Sequence, residues 1–506
     1  MAASKETVVR GASWTIAAGL ATRILGLISS VVVTHYVTPE ALGNIGAAQI
    51  FILTANSITT AGIGPYLVAT KHRERDETFH VTALTLFGSI GIVALVFLIR
   101  GPLGAYFNVA DSAIYLPWLL GCFLLDRLAF VPERLLIRNF QFRRIALARS
   151  MGDVAYVIVT LGLAIYGWGG YSLIAGNIAR SVARAWLMIS GTKGADWLTP
   201  APLRMEVFKR ILRFGLPVAG QGFVAGVAAR WDNMIFSRIW GGAAEMTHYN
   251  YAYQLADMPA DQIGEQIGEA LLPSFAQMPP EERDAFVVEA TGITALLIFP
   301  ISVGLGVVAP TVVATVFPPS YYETGGMLTI LAALSVTRPL SYQMAAYLQA
   351  VGRPQLPMVV ETLKMVLLMT LLLTLGRVSK LWFCGAVGLA FAAALFTHWW
   401  IVARRIQRHV WVFISECLPA AAACAVMAGA VVAVRWGLSH TSLHYEGSSK
   451  VLQGLFRVIA LVIEIVVGAL AYVGALPIVA RQASGKLVAL FRKAYQRRAA
   501  KRPATA

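Results

Sequence analysis

Two arginines stand where arginine is rarely found. The apolar run from Trp14 to Val37 carries Arg23 at its centre, and a second long run carries Arg230. An ionised side chain in the middle of an apolar span costs roughly 3 kcal/mol or more unless it meets water or a partner, so such residues are functional candidates by default. On a helix, Arg23 shares one face with Gly19, Gly26 and Ser30, while Ile16, Leu25, Ile28 and Val32 point elsewhere. Arg230 shares a comparable face with Gly226, Asn233 and Ser237. Both faces are expected to line a hydrated interior, and the chemistry they offer is the binding of an anion. Arg127, Arg134, Arg338 and Lys364 are further deep or near-interface cations that would extend such a site. The plainer alternative is that each cation pairs with a carboxylate such as Asp126, Asp153, Asp232 or Glu361 and only fixes helix packing.

Asp257, Asp261, Glu265 and Glu269 recur at intervals of four residues along another segment. Four ionised carboxylates stacked in this way repel one another. Raised pKa values, opposing cations or a water-filled groove would each relieve the repulsion, and protonatable acids in a groove are what proton or sodium coupling uses. The competing view is that the outer members are solvated at a membrane surface and that Pro259 merely bends the helix.

No catalytic constellation accompanies these charges. The eight histidines are scattered without metal-ligand spacing or an evident base partner. Cys122, Cys384, Cys417 and Cys424 lie singly in apolar segments, with neither a CxxC nor a Cys/His cluster, so no metal site or disulfide is expected. No Walker loop occurs, which disfavours ATP-driven turnover by this chain alone, and no cofactor is expected.

The elements that must hold these residues follow from composition. Of the 506 residues 57% are hydrophobic and 13% charged, and the mean hydropathy is +0.66, whereas roughly a quarter of the residues of soluble proteins are charged. Apolar runs of membrane-spanning length recur along nearly the whole chain, and in hydrocarbon each must satisfy its own backbone groups as a helix. An all-α polytopic membrane protein follows. Breaks at glycine, proline and charge clusters give about 14 spans, near 12–37, 41–66, 80–99, 112–133, 151–168, 170–190, 211–238, 244–270, 287–309, 324–348, 356–376, 381–403, 412–436 and 451–479. The first of them carries no small-residue cleavage site and is expected to be retained.

Placing the amino terminus in the cytoplasm puts about 27 lysines and arginines in inside loops and the tail, against roughly six outside. Both termini are therefore expected to be cytoplasmic. The formal charge of +16 then reflects topology, calls for no nucleic acid, and lets the basic tail attract anionic membrane lipids.

A shift of 204 residues lays Gly11 on Gly215 and Ala48 on Ala252, and a similar shift brings Arg127 close to Arg338. Two pseudo-symmetric six-helix lobes are the simplest account. The expected boundaries are 1–195 and 196–405 for the lobes, 406–482 for two further transmembrane helices, and 483–506 for a basic cytoplasmic tail. Thr199 to Arg213 reads as a proline-marked, amphipathic linker between the lobes.

The segment Val131-Pro-Glu-Arg-Leu-Leu-Ile-Arg-Asn-Phe-Gln-Phe-Arg-Arg-Ile-Ala146 resembles the fourth-helix motif of Wzx-type polysaccharide flippases. These form the PST family of the multidrug/oligosaccharidyl-lipid/polysaccharide exporter superfamily. Tyr166-Gly-Trp-Gly-Gly-Tyr-Ser-Leu-Ile-Ala-Gly176 is similar to that family's tight turn between helices five and six. Tyr249 to Pro259 with Leu272-Pro-Ser-Phe275 is similar to its eighth helix, and Gly352-Arg-Pro354 to one of its cytoplasmic turns. Arg23-Ile-Leu-Gly26 resembles an Arg-x-Leu-Gly of the lipid II flippase branch, where the arginine contributes to a central cationic cavity.

The resemblance implies an inner-membrane flippase. It would move undecaprenyl-pyrophosphate-linked oligosaccharide units to the periplasmic leaflet by alternating access, for exopolysaccharide, capsule or O-antigen synthesis. Polysaccharide polymerase and export proteins would be its partners. Arginine suits such a cargo, because its planar fork donates paired hydrogen bonds to phosphoryl oxygens. Within the superfamily the alternatives are a lipid II flippase or a drug exporter. Outside it, the alternative is a membrane glycan polymerase or glycosyltransferase, though the expected outside loops near 100–111 and 437–450 are short and carry as acids only Asp111 and Glu446.

Overall fold

A computed structural model describes residues 25–60, 75–139, 141–192, 194, 197–440 and 450–479, and every regular element among them is a helix. A first helix over 25–33 (α1) is followed by α2 (Pro39–Thr60), α3 (Arg75–Tyr106), α4 (Ser112–Arg138), α5 (Phe142–Ile165), α6 (Gly170–Ile189), α7 (Met205–Trp240) and α8 (Ala243–Gln277). Then come α9 (Pro280–Val316), α10 (Thr324–Leu334), α11 (Thr337–Ala350), α12 (Gln355–Thr374), α13 (Lys380–Arg405), α14 (Trp411–His440) and α15 (Lys450–Val479). Eight helices among the described residues are long and apolar enough to cross a membrane: α3, α4, α5, α9, α12, α13, α14 and α15. Large apolar side chains such as Leu98, Ile158 and Leu470 lie exposed on them, as lipid-facing residues do. The chain is an all-α, multi-pass membrane protein.

One expected span differs. The stretch 324–348 is two helices, α10 and α11, joined through Ser335 and Val336, which both keep right-handed helical backbone angles. Pro339 is the physical reason: it has no N–H to offer and its ring crowds the carbonyl of Ser335 four residues back. The glycine-rich turn between α5 and α6 is present. Gly167 and Gly169 hold φ values of +82° and +53°, a region that favours glycine over residues with a Cβ.

The chain divides into two compact units, Met1–Thr247 and His248–Ala506. In the first, α5 and α6 approach closely because a Cβ on Gly152 would meet the Arg180 carbonyl at 3.2 Å. The α7 helix packs on α2, where the Trp231 indole donates to Thr54 Oγ1 at 3.1 Å. The proline-containing segment that leads into α7 is clamped against the start of α3. There the Arg204 N–H donates to His80 Nε2 at 2.8 Å, Arg210 meets Glu77 at 3.1 Å, and Trp197, Val207 and Ile211 bury against Val81, Phe130 and Leu135.

The second unit is built on a core of Phe275, Val287, Leu296, Leu340, Tyr347, Trp399 and Phe413, with the rings of Trp399 and Phe413 stacked at 6.0 Å. The α14 and α15 helices are fastened to α9 by ions. Glu464, buried in α15, accepts from Arg435 Nε at 3.0 Å, from Arg435 Nη2 at 2.9 Å and from Thr311 Oγ1 at 2.9 Å. The same guanidinium donates to the Val307 carbonyl at 2.6 Å.

Removing one partner of a buried ion pair leaves the other charge without compensation. Glu464→Ala is therefore expected to destabilise the purified protein by about 3 kcal/mol, the lower end for such pairs because Arg435 retains some exposure. A joint replacement of Arg435 and Glu464 by leucine is expected to lie near wild type. Denaturant unfolding in detergent micelles checks both.

Candidate functional site

In the second unit a charged cluster is assembled from four helices. Gly264 of α8 lies against Pro339 of α11 so closely that a Cβ there would stand 2.8 Å from the proline Cα. This glycine contact draws the two helices together and sets Asp257 of α8 against Arg338 of α11. The Arg338 guanidinium, buried at 8% exposure, forms an ion pair through Nη1 with Asp257 Oδ1. Its Nη2 donates to the Tyr253 hydroxyl at 2.7 Å.

A second close approach, Gly388 of α13 against Leu334 of α10, brings α13 alongside. Phe391 of that helix then lies 4.1 Å beneath the Arg338 guanidinium and 4.4 Å from the Lys364 ammonium of α12. Two cations thus share one aromatic ring, an attraction that strengthens as water is excluded. Lys364 is also ion-paired with Glu361 one turn away on α12. Beside Arg338 lies a small cleft, lined by Tyr253, Asp257, Leu331, Leu334, Val387 and Phe391 among others. The arrangement offers a buried, forked cation at the edge of an opening, with its counter-ion on a different helix.

The first unit holds another basic cluster, at the fourth-helix motif. Arg127 and Arg134 lie two turns apart on one face of α4, with Phe130 between them. Arg127 stands 4.8 Å over Phe123 and 5.3 Å over Phe130, and Arg134 stands 5.0 Å over Phe130. Arg127 Nη2 donates to Asn56 Oδ1 at 2.7 Å. Its Nε and Nη1, and Nε of Arg134, are buried with no hydrogen-bond partner among the described residues. Glu133, buried on α4, accepts instead from Arg149 of α5 at 2.6 Å and from Arg184 of α6 at 2.8 Å.

The sequence-derived candidates fare unequally. Arg338, Lys364 and Asp257 come together in the second unit, and Arg127 and Arg134 in the first. Arg230 is exposed on α7 and makes no ion pair among the described residues, while neighbouring Asp232 accepts from Asn233 at 3.1 Å. Arg23 lies outside the described residues, as do the side chains of Asp261, Glu265 and Glu269. Of the carboxylates named as alternative partners, Asp153 pairs with Arg180 and Glu361 with Lys364. Tyr253, Phe391, Asn56, Glu133, Arg149 and Arg184 complete the two clusters and were not singled out as site residues. Glu133 was within reach, being a lone acid in the basic fourth-helix motif. Phe391 carried no signal, since an aromatic residue in an apolar run resembles every other.

The family profile described as a polysaccharide biosynthesis protein matches residues 32–324. The chain belongs to this family. The chain is similar to the succinoglycan biosynthesis transport protein ExoT of Rhizobium meliloti (strain 1021), 23% identical over 354 residues and covering 69% of this chain and 70% of that one. The lipopolysaccharide biosynthesis protein WzxC of Escherichia coli (strain K12) is 22% identical over 399 residues, covering 77% and 78%. In fold the chain is similar to the lipid II flippase MurJ in an inward closed conformation, with a TM-score of 0.71 and 14% identity over 92% of this chain and 99% of that one. It is also similar to an inward-facing multidrug resistance transporter of the MATE family, with a TM-score of 0.61 and 16% identity over 76% and 94%.

A double-mutant cycle tests the Asp257–Arg338 contact. Asp257→Ala and Arg338→Ala are each expected to lower thermal stability, and the double variant to lose less than their sum, with a coupling energy of about 1–3 kcal/mol. Additive losses would mean the two groups do not interact.

Proposed function

We propose that this protein is a flippase for undecaprenyl-pyrophosphate-linked oligosaccharide repeat units. It carries them from the cytoplasmic to the periplasmic leaflet of the bacterial inner membrane, for exopolysaccharide, capsule or O-antigen synthesis. The observation that carries the reading is the buried Arg338 guanidinium at the mouth of a cleft in a polysaccharide biosynthesis family member. A guanidinium binds a diphosphate as a fork, through parallel N–H donors to two phosphoryl oxygens. The buried donors left over on Arg127 and Arg134 are of the same kind, and Arg23, Arg230 and Lys364 add to the cationic set. A cationic drug would call for a site dominated by acids, and arginine in these positions favours an anion.

In this reading the lobes 1–195 and 196–405 alternate access to the two leaflets, the segment 406–482 adds two transmembrane helices, and 483–506 is a basic tail at the cytoplasmic surface. Both termini are cytoplasmic, as the excess of lysine and arginine in the inside loops supports. Polysaccharide polymerase and export proteins act on the product, and the chain itself is a secondary-type transporter and no enzyme.

The test is a leaflet-accessibility assay. Purified protein in proteoliposomes is expected to expose a fluorescent prenyl-diphospho-oligosaccharide to a membrane-impermeant quencher faster than protein-free vesicles do. Arg338→Ala is expected to slow this about tenfold or more, the loss of charge-assisted hydrogen bonds worth about 1.5–3 kcal/mol. Exposure no faster than in empty vesicles would overturn the flippase reading, and lengthening of the sugar chain in the same vesicles would reassign the protein as a polymerase.

A further inference from the structure

The same Arg338 fork that would hold a diphosphate is already engaged by a carboxylate on another helix. Asp257 is ion-paired with Arg338, and the cleft beside them is lined mainly by apolar residues, Leu331, Leu334, Val387 and Phe391 among them, with the hydroxyls of Tyr253 and Ser335. Two negative groups, Asp257 and a phosphoryl group, therefore compete for one forked cation. We infer that Asp257 is a proton-binding partner-exchange site: diphosphate takes Arg338 from Asp257, and the released carboxylate takes up one proton. This rests on the flippase reading above, which supplies the diphosphate.

Charge drives this exchange. In the structure Arg338 is ion-paired with Asp257 and Lys364 with Glu361. A diphosphate diester adds two negative charges to a site whose walls are mostly leucine, valine and phenylalanine. An unpaired carboxylate left there is doubly disfavoured, by the loss of water and by the neighbouring phosphoryl charge, and both effects favour its neutral form. Protonation removes one of the added charges. It forms one O–H bond on an Asp257 oxygen with a proton from solvent, breaks no bond of the cargo, and leaves Arg338 charged.

The groups facing this site decide which one titrates. Among the described side chains of α8, Tyr253 faces it, its hydroxyl accepting from Arg338. The α11 helix brings Arg338, and α12 brings Lys364 and Glu361, already joined to each other. The α13 helix brings Phe391 and, two turns further on, the buried His398, which feels both Glu361 and Lys364. The cleft residues of α10, Leu331 and Leu334, bring no charge. Asp257 is the group among these that loses its counter-ion when Arg338 is taken.

The sign follows from linkage. Diphosphate separates Asp257 from its counter-ion and the carboxylate then takes a proton, so cargo and proton bind together, and affinity rises as pH falls. The probe must not titrate itself. A short-chain prenyl-diphospho-N-acetylglucosamine qualifies, because both phosphoryl groups of a diester stay ionised between about pH 5 and about pH 8.

Calorimetry of this probe binding to the full-length protein in nanodiscs, in buffers of differing ionisation enthalpy, counts the protons taken up. Wild type is expected to take up close to one proton per probe within part of that range, with affinity changing by up to about tenfold per pH unit there. Asp257→Asn is expected to bind with no proton uptake and an affinity flat in pH. Wild-type binding without proton uptake at any pH, or undiminished uptake in Asp257→Asn, would overturn the exchange and leave the flippase reading standing. Failure of wild type to bind the probe, or equal binding by Arg338→Ala, would overturn the assignment of Arg338 to the diphosphate and the exchange with it.

Discussion

A charge placed among apolar helices must find a counter-ion, a ring face or water, and the two units of this protein are arranged around that demand. Glu464 has no other acid near it in α15, and its needs are met by Arg435 from α14 and Thr311 from α9. That single carboxylate ties three helices together. Glu133 does the same for α4, α5 and α6 through Arg149 and Arg184. Hydrocarbon gives helices little hydrophobic reason to associate, so polar contacts and close approaches at small residues carry much of the specificity. Gly152, Gly264 and Gly388 supply such approaches here.

Against this background Arg338 differs in kind from Arg435. Both are paired, but Arg435 spends its donors on Glu464 and a backbone carbonyl, whereas Arg338 meets an acid, a tyrosine hydroxyl and a ring at the edge of a cleft. The first arrangement is closed. The second can be exchanged for another anion without leaving the guanidinium buried and uncompensated, the situation that makes broken ion pairs costly. Phe391 adds to this: with Arg338 on it at 4.1 Å and Lys364 at 4.4 Å, it keeps two cations near each other that would otherwise repel.

Much of the helical framework was legible because hydrocarbon leaves a chain few choices. The apolar runs, the Gly167–Gly169 turn and the family membership could all be read from local sequence. The division of 324–348 into two helices was signalled by Pro339 but hidden by the apolar residues on either side. For the acidic ladder, the sequence required relief of repulsion without choosing among three means, and at Asp257 the means is an opposing cation. That partner could not be named in advance, because it comes from a distant helix and depends on how closely Gly264 lets α11 approach. Arg435 stands near a predicted span end, while its role on Glu464 depends on the packing of α14, α15 and α9. Pairing across helices is a property of packing, and composition and periodicity carry little record of it.

The most direct test is a cryo-electron-microscopy structure of the full chain in nanodiscs, loaded with a short-chain prenyl-diphospho-oligosaccharide. Phosphoryl oxygens are expected within hydrogen-bonding distance of the Arg338 guanidinium, with the Arg338–Asp257 contact opened. Diphosphate density remote from Arg338, with that contact intact, would contradict this.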